Sequence, residues 1–237
     1  MKDARYHAFQ ILKKYYRSNN RLKSVRDQYY KNNKLHQQDI SRSLVLTNEV
    51  VRWQGRLDFW INLFLDKPIH KLHPSVHIIL RIGFFEALMD EFVPQHAAVH
   101  SWVEFTKKEL GKKFSGLVNA LLRKTNNIDP NQKDKKESLS AWYSYPAWII
   151  DKWIHQFGEE KTIELCEYLN MPSHIDLRLN CMTESKDTIL SRLDKLDVEI
   201  IQSPESDCFI RVDSGLRNVV KSELFIKGLI HVQDRAS

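Results

Sequence analysis

The 237 residues, 42 % hydrophobic and 28 % charged, suffice for one large domain or two ordinary ones with a buried core. No apolar run approaches the roughly 18–20 residues that cross a bilayer, and Met1-Lys2-Asp3-Ala4-Arg5 does not open a secretory leader. Three isolated cysteines, Cys166, Cys181 and Cys208, lack any C-x-x-C spacing, which argues against a disulfide framework and for reduced thiols in a cytoplasm. The net charge of +6 hides a split. Residues 1–130 carry 22 Lys+Arg against 12 Asp+Glu, whereas residues 131–237 carry 14 against 18. A basic first half reads as a surface for phosphates, and the second half does not.

The first half is patterned for helices throughout. Asp3 can cap a helix through Tyr16, with Ala4, Ala8, Ile11, Leu12 and Tyr15 on one face. Ser18-Asn19-Asn20 breaks it, and a second helix runs from Leu22 to about Lys31. A third starts near Gln37 and carries Ile40, Leu44, Val45, Val51 and Leu57; Pro68 closes that region. Pro74 stands where a helix-opening proline belongs, followed at intervals of four by Val76, Leu80, Phe84 and Leu88. Pro94 opens another helix, with Ala97, Val99, Trp102, Val103, Phe105 and Leu110, which Gly111 ends. Ser115 is the expected cap of a last helix reaching about Lys124. Six or seven helices with short links make an all-α domain over residues 1–127.

Residues 128–140 are polar and read as a linker. Beyond them the pattern changes. Pro146 opens a helix with Trp148, Ile149, Trp153 and Phe157, and another covers about Glu159 to Leu169. Ile175-Asp176-Leu177-Arg178-Leu179-Asn180 alternates with period two, as a strand does. Thr183 or Ser185 caps a helix to Leu196. Short strands are expected over Val198–Ile201, Cys208–Val212 and Leu229–Val232, so that residues 141–237 form a small α+β domain.

Few residues promise chemistry. His73 and His77, like His96 and His100, are four apart and would share a helix face, but neither pair has the Glu of His-Glu-x-x-His or a cysteine nearby, so surface or capping roles outweigh a metal site. Gly111 and Gly116 have a Walker-like separation, yet Leu117-Val118 follow where Lys-Ser/Thr is required. No lysine or arginine adjoins a cysteine, which favours inert, buried thiols over a nucleophile.

The basic residues carry more. Lys112, Lys113, Arg123 and Lys124 bracket the last helix of the first domain, whose apolar face is Leu117, Val118, Leu121 and Leu122; Asn119 and Arg123 share another stripe. Arg5, Lys13, Lys14, Arg52 and Arg56 add charge, and Tyr15, Tyr16, Tyr29, Tyr30, Trp53 and Trp102 are candidates to stack on bases. Any one lysine is more simply a solvated helix residue. A domain with ten excess positive charges favours RNA or DNA.

At these residues the sequence resembles a family. Val93-Pro94-Gln95-His96-Ala97-Ala98-Val99 and Ser115-Gly116-Leu117-Val118-Asn119-Ala120-Leu121-Leu122-Arg123 look like the signatures of the NusB-like helical domain, in the version that precedes bacterial rRNA cytosine-5 methyltransferases (the RsmB, or Sun, family). Arg52-Trp53 with Leu57-Asp58, and Leu80-Arg81-Ile82-Gly83, fit the same pattern. Tyr145-Pro146-Ala147-Trp148, Leu177-Arg178-Leu179-Asn180 and Gly228-Leu229-Ile230-His231-Val232-Gln233-Asp234 resemble that family's small second domain. Glu49 departs from the family's usual glycine.

The resemblance implies an all-α NusB-like domain, an α+β domain, and 16S rRNA as partner, with no membrane. The RNA-contacting set expected on this basis is Arg5, Arg52, Arg56, Lys112, Lys113, Asn119, Arg123 and Lys124. In the family, the Val-Gln-Asp segment leads into a Rossmann-like domain with a glycine-rich S-adenosylmethionine loop, a Pro-Cys and a Thr-Cys. One cysteine adds to carbon 6 of cytosine so that carbon 5 takes the methyl group, and the other assists release. None of those motifs is in this sequence, and Cys166, Cys181 and Cys208 match neither catalytic position. The expectation is therefore an N-terminal fragment or natural truncation that binds RNA in the cytoplasm, is not catalytic by itself and holds no cofactor. S-adenosylmethionine would belong to the full-length enzyme. The alternatives are a NusB-like antitermination factor that binds RNA and a ribosomal protein, and a structural helical module whose charge is incidental.

Overall fold

The computed structural model describes residues 3–134, 137–171, 175–202 and 208–234. The chain divides into two compact units, Met1–Glu167 and Tyr168–Ser237.

The first unit is helical: α1 (Ala4–Tyr15), α2 (Leu22–Lys31), α3 (Gln37–Arg52), α4 (Gln54–Asn62), α5 (Pro74–Leu88), α6 (Gln95–Glu109), α7 (Lys112–Arg123), α8 (Leu139–Tyr143) and α9 (Ala147–Phe157). Helix α10 (Glu159–Asn170) contains the boundary between the units. Asp3 caps α1 by accepting from the Tyr6 N–H at 3.1 Å. His73 caps α5, accepting from the Ser75 N–H through Nδ1, and Pro74 takes the first position. Eleven of the fifteen α5 residues are buried, so this helix is the axis around which α1, α3, α4, α6 and α7 pack. Its Gly83 is required by that packing. A Cβ there would lie 2.8 Å from Leu122 Cδ2 in α7, which explains the glycine in the Leu80-Arg81-Ile82-Gly83 stretch.

Several expectations need correction here. The single third helix is two, broken at Trp53, where φ −98° and ψ 16° leave the helical region. The buried face of α3 is Ser43, Leu46, Thr47 and Val50, with Val45 exposed. Thr47 and Ser43 sit inside because their hydroxyls donate to the Ser43 and Ile40 carbonyls. Helix α7 begins at Lys112 rather than Ser115, because Gly111, at φ +93°, both ends the preceding turn and precedes α7. Ser115 is buried and donates to the Lys112 carbonyl instead. On α7, Leu117 is exposed, and Ser115 joins Val118, Leu121 and Leu122 inside.

The stretch expected as a linker is packed on the helical unit. Ile128 lies against the core, and the Arg56 guanidinium donates to the Pro130 carbonyl, stacks over Trp142 of α8 at 3.4 Å and lies 4.7 Å from the Trp60 ring centroid. Within the stretch, Lys135 and Lys136 lie outside the described residues. Gly55 abuts Ser144, whose Oγ accepts from the Arg56 N–H at 3.0 Å.

A carboxylate cluster ties α4 to α5. Asp58 Oδ1 accepts from Arg81 Nε at 2.7 Å and is 2.8 Å from His77 Nε2, while its Oδ2 accepts from Arg81 Nη2 at 2.5 Å. Burial alone would raise the Asp58 carboxyl, but the hydrogen bonds from Arg81 and His77 hold it below its ordinary 3.8. Its stabilisation is therefore complete above about pH 4 and is lost as pH falls through the lower folded value. Asp58→Asn is expected to lower stability at pH 7 by roughly 2 kcal/mol and to flatten the acid limb of a stability–pH curve. An acid limb identical to wild type in urea titrations would refute that role.

The second unit follows the order β1 (Ile175–Leu179), α11 (Lys186–Leu193), β2 (Glu199–Gln202), β3 (Phe209–Ser214), α12 (Leu216–Lys221), α13 (Glu223–Ile226) and β4 (Ile230–Val232). The antiparallel sheet has the order β2-β3-β1-β4, with Leu177 opposite Ile210 and Val232. One sheet face (Leu177, Leu179, Ile210, Val212, Ile230) buries against Ile189 and Leu193 of α11, Val219 of α12 and Leu224 of α13. Of the two suggested caps, Ser185 serves α11, accepting from the Thr188 N–H. The observed architecture is the expected all-α domain followed by a small α+β domain.

Candidate nucleic-acid interface

Helices α6 and α7 form a hairpin through Leu110 and Gly111. The inner face of α7 is apolar, which leaves Lys112, Lys113, Arg123 and the following Lys124 on the outside. At 3.6 residues per turn, Lys112, Gly116, Asn119 and Arg123 form one solvent-side stripe, with Lys113, Leu117, Ala120 and Lys124 beside it. The first turn of α7 has no acidic residue and no side-chain cap. Two lysines at the positive end of a helix dipole repel it, so this end concentrates positive potential that an anion relieves.

Between α6 and α7 runs an open groove of about 470 Å³, within the size range of small-ligand sites. Gln95, His96, Val99, His100 and Val103 line it from α6, and Asn119, Arg123 and Asn126 from the other side. Arg123 Nε donates to Asn119 Oδ1 at 3.2 Å. Gln95 Nε2 donates to Thr125 Oγ1 at 3.0 Å, and that hydroxyl donates to the Leu122 carbonyl at 2.6 Å.

Of the eight expected contact residues, this region unites Lys112, Lys113, Asn119, Arg123 and Lys124. The others are engaged elsewhere. Arg5 Nε donates to Glu86 Oε2 at 2.8 Å, and that fully buried carboxylate neutralises it. Arg56 is buried under aromatic rings, and burial pushes its guanidinium down to about 10. Arg52 is half-buried, 3.9 Å from Glu49 and 5.7 Å from the Trp53 ring centroid. Glu49 also accepts from Trp53 Nε1 at 3.2 Å, which gives the residue standing in place of the family's glycine a defined partner.

The proposed stacking aromatics are structural. Trp102 is fully buried and donates to Glu86 Oε2, Tyr29 is buried beside His7, and Tyr30 bonds Ser43. Tyr16 lies under Arg81, 4.9 Å from its guanidinium. Of the thiols, Cys166 is buried, and burial raises its pKa; Cys181 and Cys208 are exposed, against the expectation of burial. Among the described residues no group of three or more His, Cys, Asp or Glu could hold a metal, and no helix is long and apolar enough to cross a membrane. Sequence reasoning missed Gln95 and Asn126 as groove residues and read His96 and His100 as surface or capping histidines rather than as part of a groove. The signal for Gln95 and His96 was the Pro94–Val99 stretch, which forms the opposite wall to Asn119 and Arg123.

The chain thus combines a NusB-sized helical domain with a small α+β domain built on a four-stranded antiparallel sheet. Residues 2–127 match the NusB family model, and residues 145–219 match the RsmF/B-like methyltransferase ferredoxin-like domain. The chain belongs to the NusB family, in the two-domain form found at the N-terminal region of the RsmB/Sun family of ribosomal RNA methyltransferases. It is 27 % identical over its whole length to the probable ribosomal RNA small subunit methyltransferase B of Synechocystis sp., covering 54 % of that protein. It is 25 % identical over 93 % of its length to the Bacillus subtilis protein of the same name, covering 48 % of it. The chain thus spans about half the length of these relatives. The crystal structure of PH0851 shares the fold, with a TM-score of 0.60 at 19 % identity over 97 % of this chain and 52 % of that one.

An S-adenosylmethionine site of the Rossmann kind needs a glycine-rich turn after a parallel strand. Every strand pair among the described residues is antiparallel, and the left-handed glycines Gly111, Gly158, Gly215 and Gly228 are isolated. The described residues do not form such a turn.

Proposed function

We propose that this chain is the RNA-recognition part of an S-adenosylmethionine-dependent 16S rRNA cytosine-5 methyltransferase acting in the cytoplasm. It supplies binding, not methyl transfer. The observation that carries the reading is the solvent face of α7, where Lys112, Lys113, Arg123 and Lys124 stand exposed beside a polar groove. The names of the relatives support ribosomal RNA as target. The match of residues 145–219 to a methyltransferase-associated domain favours this over an antitermination factor working with a ribosomal protein.

Charge reversal tests it. Every cation withdrawn from a phosphate flattens the salt dependence of binding by about 0.7–0.9. The quadruple variant K112E/K113E/R123E/K124E should therefore bind a small-subunit rRNA hairpin with a log–log salt slope reduced by about 3. A slope equal to wild type would remove this face from the interface.

A further inference from the structure

The α6–α7 groove is more than a basic surface, because two of its amides are held in one orientation each. The Thr125 hydroxyl directs its proton to the Leu122 carbonyl, so it can only accept from Gln95. That fixes Gln95 with its amide nitrogen on Thr125 and leaves its carbonyl oxygen for a ligand. Asn119 is fixed the opposite way. Its carbonyl takes the Arg123 Nε–H, which leaves its NH₂ for a ligand. The groove thus offers one oriented acceptor and one oriented donor, with Val99 and Val103 as apolar surface on its α6 wall and Arg123 lining the opposite wall.

We propose that this groove takes one unpaired nucleotide of the bound RNA. The base lies against Val99 and Val103, Gln95 and Asn119 read the adjacent donor and acceptor on its edge, and Arg123 takes its phosphate. A base inside a duplex has that edge paired and both faces stacked, so only an unpaired one can enter. This rests on the reading of the helical unit as RNA-binding. It adds a preference for single strands that a basic surface alone does not supply.

The test uses the full chain and two probes, a single-stranded oligoribonucleotide with the loop sequence of an rRNA hairpin and the same sequence annealed to its complement. Wild type should favour the single strand. Asn119→Ala and Gln95→Ala should each weaken that binding about 5-fold, the equivalent of one hydrogen bond, with the salt slope unchanged because no charge is removed. Ultraviolet cross-linking of the single strand should give adducts within residues 95–103 or 119–126. Equal affinity for both probes, unaltered affinity in both alanine variants, or adducts confined to other segments overturns the groove proposal. If the charge-reversed variant still loses its salt slope in that case, the broader RNA-binding reading stands alone.

Discussion

Glu86→Ala is expected to destabilise the helical unit by about 4 kcal/mol. The Glu86 side chain is fully buried on α5 and collects three donors: Arg5 Nε at 2.8 Å and Trp102 Nε1 at 2.7 Å on Oε2, and Arg42 Nη2 at 2.6 Å on Oε1. Arg42 also pairs with Asp90. Alanine leaves the buried indole N–H of Trp102 without an acceptor and deprives two part-buried guanidinium groups of a shared anion. Breaking one side of a buried ion pair costs roughly 3–5 kcal/mol, because the remaining charge stays desolvated. That is a large share of the ~5–15 kcal/mol that holds a typical domain together. All six tryptophans lie between Trp53 and Trp153, inside the first unit, so the denaturation midpoint followed by tryptophan fluorescence reads this change directly. A shift equivalent to less than about 1 kcal/mol would mean that the arginines rehydrate freely and the cluster holds little.

Gly215→Ala should damage the second unit comparably, by about 3 kcal/mol. Gly215 has φ +81°, a conformation that L residues rarely adopt, and an added Cβ would stand 2.5 Å from the Asp197 carbonyl oxygen and 3.0 Å from Val198 Cα. Both obstacles are backbone, so neither can swing aside. The same corner is fastened by Asn218, whose Nδ2 donates to the Leu196 carbonyl at 3.1 Å. Residues 168–237 contain no tryptophan, so fluorescence is blind to the change. Hydrogen exchange of the β1 and β3 amides should accelerate, while α5 amides stay protected. Unchanged exchange in β1 and β3 would show that the corner relaxes without strain.

Much of the fold was legible because its signals are local. Asp3, Pro74 and Ser185 mark helix starts through hydrogen bonds or backbone restrictions that act within a few residues. The α3 face was misread because Ser43 and Thr47 are buried polar residues satisfied within their own helix, which hydrophobic periodicity cannot register. The grouping of cations around α7 was legible only in part for a similar reason. A charge count treats Arg5, Arg56 and Lys112 alike. What separates them is partners far along the chain, with Glu86 lying 81 residues from Arg5 and Pro130 lying 74 from Arg56. The α7 cations remained available because no carboxylate within the helix faces them. The groove itself is not legible in sequence, because its walls are two signatures some twenty residues apart that only the α6–α7 hairpin brings face to face.

Arg56 has a consequence for how the protein tolerates change. One guanidinium grips the carbonyl of Pro130 on one side and the ring of Trp142 on the other, so both feet of the intervening arch are clamped to the same point on α4. Each doubling of such an arch adds only about 0.6 kcal/mol of closure entropy. Insertions between residues 131 and 134 should therefore pass almost unnoticed by the helices around α4, which makes this stretch the natural place to graft a tag or to accept drift in length between species.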